Sequence, residues 1–537
     1  MNPMNPPPRG GSILLGVTVF LAGAAVLVME ILGARLLAPF FGSSQYVWSA
    51  LIAVTMLALA AGYRGGGRLA DAAAPLPWLF RLLVLAGWLV VAVVPARSWV
   101  LPACAGQGLR MGSLIAALVL LAPSLTLLGA VAPLAARVAV AELGSLGVTV
   151  GSLYALSTIG SLAGALAAGF VLVPALGVVK ILLLSSLLLF GPAGWYWWGH
   201  GRPADRALWR LLLVAGAAAA LIGILRPVRA LPAENKADGW ALLFREDSRY
   251  GLVEVVEYRS RRLLIVDGTL QTGIDLASGS PLFPYAVAVP ALLEAAAPAS
   301  RRVCLIGFGG GVVAAKLAAR GLAVESVEID PTVEVAARRF FAAGARLPVA
   351  EEDGRMFLRE TPPGHYDAVI LDAYSGEAPP AHLFTVESYR LVRRAIGQEG
   401  VGIANLIAFT DGPDGRLARC VDATIRSVFP WVEAYRVEQD QGITNVLFVF
   451  GMHPRRFARL RFAGAHPQIE GMVAGLLGRR LDLEGPDAFV LTDDYCPLDR
   501  LALPAREIVR RNMRELFPPW LLLGSPASRR AGPAASG

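Results

Sequence analysis

The sequence predicts a multi-span α-helical membrane domain followed by a doubly wound α/β domain, with a small β-hairpin module between them. Three observations predict this. Long apolar runs fill the first 225 residues, a cluster of charges arrives at 234–247, and a strand–glycine-turn–helix unit follows at 303–320. Charged residues make up only 17% of the 537 and mean hydropathy is +0.55. Soluble domains carry about 25% charged residues, so part of this chain belongs in lipid.

Residues 1–230 read as the membrane domain. Runs at 11–29, 44–63, 77–96, 113–136, 150–174, 180–199 and 208–225 are each long enough to cross about 30 Å of hydrocarbon. The first begins just after Arg9 and reads as a retained anchor rather than a signal peptide, because its apolar run is long and more spans follow. Glu30 and Arg35 continue the first run and read as interfacial. Gly160 and Gly164 form a GxxxG pair suited to close helix packing. Arg64 and Arg68, read as a loop, place the N-terminus in the cytoplasm. With seven spans the soluble half would then lie outside. A nucleoside-binding domain needs the cytoplasm, and that argument takes precedence over a few arginines. The expectation is a multi-pass protein of the cell inner (plasma) membrane with its soluble domain cytoplasmic.

Residues 231–300 read as a linker and hairpin module. Leu252–Tyr258 and Leu263–Val266 alternate around a polar turn at 259–262. Residues 301–522 read as the α/β domain. Short apolar strands at 303–306, 324–329, 368–371 and 402–406 alternate with helical stretches at 311–320, 332–343 and 385–396. The pair 435–438 and 446–450 suits an antiparallel edge. Residues 523–537, rich in Ala, Pro, Ser, Gly and Arg, read as a disordered tail.

The chemistry falls at strand ends. Gly307, Gly309 and Gly311 let backbone approach a ligand at a helix start. Glu328, about twenty residues after Gly307, is placed to hold ribose hydroxyls. Asp353 could accept from an adenine amine, although Asp353-Gly354 also reads as a turn pair. Asp372 ends the strand Ala368–Leu371, at the mouth of any site, or else caps a turn. Three strand-end acids with no Walker lysine and no GxGxxG suit an adenosyl sulfonium better than NAD or ATP. Four cysteines without a CxxC pair and five scattered histidines give no metal site. The net charge of +8 comes largely from arginines flanking apolar runs, which favours lipid headgroups over nucleic acid.

Residues 240–500 resemble the spermidine synthase (polyamine aminopropyltransferase) family, whose catalytic domain is α/β Rossmann-like, of the methyltransferase type. The resemblance rests on Tyr250-Gly-Leu-Val-Glu-Val255, Val266-Asp-Gly-Thr-Leu-Gln271, Ile306–Gly311, Val327-Glu-Ile-Asp330, Glu352-Asp-Gly354 and Tyr366–Tyr374 in family order. Leu383-Phe384, Tyr389 and Thr492-Asp-Asp-Tyr-Cys-Pro497 continue it. The whole chain resembles the membrane-fused members, whose spans are similar to half of a major-facilitator transporter. The resemblance implies decarboxylated S-adenosylmethionine, or S-adenosylmethionine, as co-substrate. Gln271, the glycine turn, Glu328, Asp353 and Gly354 would hold it. Tyr285 and Tyr374 would contact a small amine and Asp372 would orient or deprotonate it. It also implies a possible homodimer. The pattern departs at Gly310 and Ser375, where the family has acids, and at Tyr285-Ala286-Val287, where it has Tyr-His-Glu. The adenosyl pocket therefore matches better than the polyamine pocket. A methyltransferase using S-adenosylmethionine is the enzyme alternative, and a polyamine- or nucleoside-gated transporter or sensor is the non-enzyme one.

Overall fold

The structure is a computed structural model. It describes residues 9–523 apart from 73, 141–145, 201–202, 226–238, 342–346, 375, 438–441, 458–459 and 463–465. The expected tail lies outside the described residues except for Leu523, as do residues 231–238 of the expected linker. The chain divides into two compact units, within residues 1–229 and 230–522.

In the first unit, among the described residues, seven helices are long and apolar enough to cross a membrane: Ile13–Phe41, Gln45–Ala72, Pro75–Ala105, Ala122–Ala139, Leu146–Leu172, Val178–Gly199 and Asp205–Leu225. They fall on the seven apolar runs; the first three run 9 to 12 residues past the expected ends, and the other four end within three residues of them. The helix Arg9–Phe41 carries Glu30 and Arg35 inside it rather than beyond it. The helix Gln45–Ala72 runs through Arg64 and Arg68, so the loop that set the expected orientation is helical. The run at 113–136 is segmented: one helix ends at Leu120, another starts at Ala122 with a proline in its first turn, and a third starts at Val131. Gly160 and Gly164 pack as their spacing predicts. A Cβ at Gly160 would lie 2.1 Å from the Phe20 carbonyl oxygen, and one at Gly164 would lie 2.6 Å from that of Ala24.

The second unit holds two sheets. The first is an antiparallel meander of β1 (Trp240–Asp247), β2 (Leu252–Tyr258), β3 (Arg261–Val266) and β4 (Thr269–Asp275). The expected hairpin is its centre. The end of the segment read as linker forms β1: Trp240, Ala241 and Leu242 are buried, and Arg245 pairs with buried Glu254 of β2.

The second sheet has the order β12-β10-β11-β9-β8-β5-β6-β7. Its strands are β5 (Arg302–Ile306), β6 (Ala323–Glu328), β7 (Val349–Glu351), β8 (Ala368–Leu371), β9 (Val401–Phe409), β10 (Trp431–Arg436), β11 (Ile443–Gly451) and β12 (Arg480–Leu481). Strands β5 to β9 are parallel, and β11 joins β9 antiparallel. Period-two alternation buries both faces. Cys304, Ile306, Val369, Leu371, Ala404 and Leu406 pack with the helices Val386–Ile396 and Arg416–Arg426. Val303, Leu305, Ala368, Ile370, Val401 and Ile403 pack on the opposite face with the helix Tyr285–Ala296. Each valine, leucine and isoleucine among them contributes about 1.5–3 kcal/mol on burial. This is the doubly wound α/β fold the strand and helix pattern predicts, of the Rossmann-like, methyltransferase type the resemblance implies.

Candidate active site

The strand order reverses between β5 and β8, and the crevice outside their carboxyl ends is where open α/β sheets bind ligands. A cavity of about 280 Å³ opens there. Gln271, Tyr285, Gly307, Gly309, Glu328, Asp353, Gly354, Asp372 and Tyr374 all line it. Gly311 does not. It adopts φ +72° at the start of the helix Val312–Ala318 and serves the turn rather than the wall.

The turn after β5 brings two site groups together. Gly307 has φ +96°, and a Cβ there would lie 2.3 Å from the carbonyl oxygen of Asp372. Only a residue without a side chain lets β5 and β8 close at this point. From the end of β6, Glu328 Oε2 accepts the N–H groups of Phe308 at 3.1 Å and Gly309 at 3.3 Å. Its Oε1 accepts from Asp330 N–H at 3.1 Å. Burial pushes the Glu328 carboxyl up, and these three N–H donors pull it back. A carboxylate offers about four acceptor positions, so one remains for a ligand hydroxyl.

Asp353 acts first as a helix cap. Its Oδ1 accepts from Arg355 and Met356 N–H, both at 3.0 Å. Its Oδ2 meets His382 Nε2 at 2.9 Å. The Asp353 carboxylate is thus a helix cap, in place of the expected turn pair, and it lines the cleft as well. His382 itself escapes sequence reasoning, since its only signal is that it shortly precedes Leu383-Phe384.

Asp372 sits one residue past β8, and burial pushes its carboxyl up to about 7 against the pull of a hydrogen bond from Asn405. That bond, Asn405 Nδ2 to Asp372 Oδ1, is 2.8 Å. Tyr374 uses its hydroxyl on backbone: it accepts from Ile407 N–H at 2.8 Å and donates to the Asn405 carbonyl at 3.2 Å. These β9 groups lie beyond the end of β8, so the phenol continues the ladder where the strand stops. Only the Tyr374 ring remains for a ligand. Tyr285 starts its helix facing Asp372, and its hydroxyl is pushed up by burial first and by the Asp372 and Tyr374 charges second. Gln271 of β4 donates to the Gly376 carbonyl at 3.1 Å, bridging the meander to the loop after Asp372.

That loop is anchored from below. Glu377, Arg506 and Arg510 are all nearly inaccessible. Arg510 Nε donates to Glu377 Oε1, and its Nη1 donates to the Asp267 carbonyl at 2.6 Å. Arg506 pairs with Asp499 at 2.7 Å. Ser375 lies outside the described residues.

Gly310, where the resemblance expects an acid, packs under Thr272. Its N–H donates to Thr272 Oγ1 at 2.9 Å, and a Cβ at 310 would lie 2.6 Å from the Thr272 methyl. Thr272 fills the space that a side chain at 310 would need. Among the described residues no three His, Cys, Asp or Glu side chains converge as a metal set would.

Comparison with known proteins gives this crevice a family. Residues 284–411, which supply the glycine turn, Glu328, Asp353 and Asp372, match the family model of the spermine/spermidine synthase domain. These residues of the second unit are similar to that domain. Within that segment the chain is spermidine synthase-like. It is 29% identical over 213 residues to the polyamine aminopropyltransferase of Vibrio vulnificus, covering 38% of this chain and 67% of that one. It is 30% identical over 223 residues to the N-terminal histidine N-methyltransferase of Emericella nidulans, covering 37% of this chain and 39% of that one. The crystal structure of a probable spermidine synthase from Corynebacterium glutamicum overlays at TM-score 0.36 and 19% identity, over 49% of this chain and 93% of that one. The matches to the relatives leave more than half of this chain uncovered.

Proposed function

We propose that this protein transfers an aminopropyl group from decarboxylated S-adenosylmethionine to a small amine, and that its seven apolar helices hold it in the cell inner membrane with the second unit facing the cytoplasm. The observation that carries the reading is the contact of Gly307 with the Asp372 backbone: the turn that would cradle the donor packs on the main chain of the residue whose carboxylate would take a proton, and both line one cavity. Glu328 would hold the ribose hydroxyls, Asp353 and Gly354 the adenine side, and Gln271 and the Gly309 turn the sulfonium arm. The Tyr285 and Tyr374 rings would flank the amine.

The residues fit the donor. Glu328 keeps an acceptor position toward the cleft, and the glycine turn leaves room for backbone approach. The reaction is a displacement at a carbon bound to sulfonium sulfur. The amine lone pair forms the C–N bond, the C–S pair returns to sulfur, and a neutral thioether leaves without needing an acid. The chain has to align the amine and accept its proton. A carboxyl poised near 7 suits that role.

One observation favours a second reading. Thr272 over Gly310 leaves no carboxylate where an aminopropyl ammonium would want one. That arrangement is compatible with the carboxylate of intact S-adenosylmethionine and hence with methyl transfer. Incubating the protein with each donor and a panel of amines, followed by mass spectrometry, tests both. Aminopropyl adducts only from the decarboxylated donor support the first reading. Methyl adducts from S-adenosylmethionine replace it, and no adduct from either donor ends both.

A further inference from the structure

Asn405 is an amide on a strand face that is otherwise apolar. Along β9, Val401 and Ile403 lie on the same face in the core, and Asn405 is 1% exposed. A buried amide without partners costs several kcal/mol, and a leucine would fit a purely packing role. The site instead gives it a partner at each end. Asn445 of β11 donates from Nδ2 to Asn405 Oδ1 at 2.9 Å. With its oxygen taken, Asn405 turns its NH2 toward Asp372 Oδ1, at 2.8 Å. Three adjacent strands thus carry an ordered series: Asn445 near the start of β11, Asn405 in the middle of β9 and Asp372 just past β8. Tyr374 fixes the Asn405 backbone from the cleft side through its carbonyl. The titratable groups facing Asp372 are Tyr285, at the start of its helix, and Tyr374. Glu328 and Asp353 line the same cleft from farther strands.

We infer that Asn405 is a positioning residue for the transfer step: oriented by Asn445, it holds Oδ1 of Asp372, favours the ionised carboxylate, and leaves Oδ2 to take the proton of the attacking amine. An amide N–H supports the charged form of a carboxylate, against the burial that disfavours it. The inference rests on the transferase reading, in which Asp372 is the base.

The test uses the full chain and two independent readouts. The first is the titration midpoint of Asp372, from isotope-edited infrared spectra of carboxyl-labelled aspartate, with the signal identified by its loss in Asp372→Asn. The second is the pH profile of the transfer rate. Asn405→Leu is expected to raise the Asp372 midpoint by at least roughly one pH unit. The rate should fall about tenfold at neutral pH and recover at alkaline pH, with donor affinity within a few-fold. Asn405→Ser, whose hydroxyl is too short to reach the carboxylate, should do the same and stands in if the leucine variant does not fold. An unchanged midpoint in the folded variants overturns the inference whatever the activity, as does a loss of rate that is equal at every pH. A wild-type protein that transfers nothing from either donor overturns the reaction reading instead, while the infrared midpoint still decides the role of Asn405.

Discussion

The Asp353 carboxylate and the His382 imidazole meet at 2.9 Å, joining the cap of the helix Gly354–Glu360 to the short turn Ala381–Leu383. The two residues are 29 positions apart and both line the cleft. His382→Ala should weaken donor binding by roughly two- to tenfold, the effect of losing one hydrogen bond at a half-exposed site. Transfer at saturating donor should stay near wild type. Calorimetry with an adenosyl donor checks this, and unchanged affinity would confine the pair to loop structure.

Glu328→Ala should cost more. It removes the acceptor offered to the ribose and frees the Phe308 and Gly309 N–H groups at once. Donor affinity should fall by about ten- to a hundredfold, on the order of 1.5–3 kcal/mol. The same titration measures it, and affinity equal to wild type would remove Glu328 from the donor site.

Asp372→Asn keeps the side-chain shape and removes the proton acceptor. The transfer rate should drop at least about a hundredfold while donor affinity moves only a few-fold. In the wild type the rate should rise with pH through about 7, as the carboxyl ionises. Stability should run the other way. The folded pKa of Asp372, and that of Glu254 buried beside Arg245, are raised to about 7 from the ordinary carboxylate range. The folded protein therefore binds more protons than the unfolded chain between about 4 and 7. This contribution is full below that window and is lost as pH rises through it. Denaturation midpoints from pH 4 to 8 test the sign, and the Asn variant should show a shallower decline.

Glu377→Ala would leave Arg510 buried without its carboxylate partner. Breaking a buried pair from one side costs about 3–5 kcal/mol, so the thermal midpoint should drop clearly. Replacing both partners, Glu377→Leu with Arg510→Met, should recover part of that loss: Arg506 loses Glu377 Oε2 at 3.6 Å but keeps Asp499 at 2.7 Å. If the double variant is as unstable as the single one, the pair acts through more than charge balance.

The strand-end acids were legible because the fold puts ligands at the carboxyl ends of parallel strands, and a strand followed by an acid is a local pattern. Glu328, Asp353 and Asp372 needed nothing else to reach the cleft wall. Asn405, Thr272, His382 and Arg510 were not legible in that way. Asn405 acquires its meaning from a sideways neighbour on β8, Thr272 from a glycine 38 positions away, and Arg510 from a helix that folds back under the loop after Asp372. The one local clue was a polar residue inside the apolar strand at 402–406. Strand β1 was obscured by Arg245, Glu246 and Asp247, because composition was weighed over alternation. Six of the seven apolar runs were legible to within about a turn at their starts. The ends of the first three were not, because those helices continue through charged residues such as Arg64 and Arg68.

The closeness of Gly307 to Asp372 also constrains how this sequence can vary. A methyl group at 307 would strike the Asp372 carbonyl, so the smallest possible change there would disturb the donor turn and the proton acceptor together. Neighbouring site residues such as Gln271 or Tyr285 can change one at a time, and substrate preference can drift by such steps. Position 307 offers no intermediate step. Drift in what this protein accepts should therefore be recorded in the meander and the helix starting at Tyr285, while the junction of β5 and β8 stays fixed.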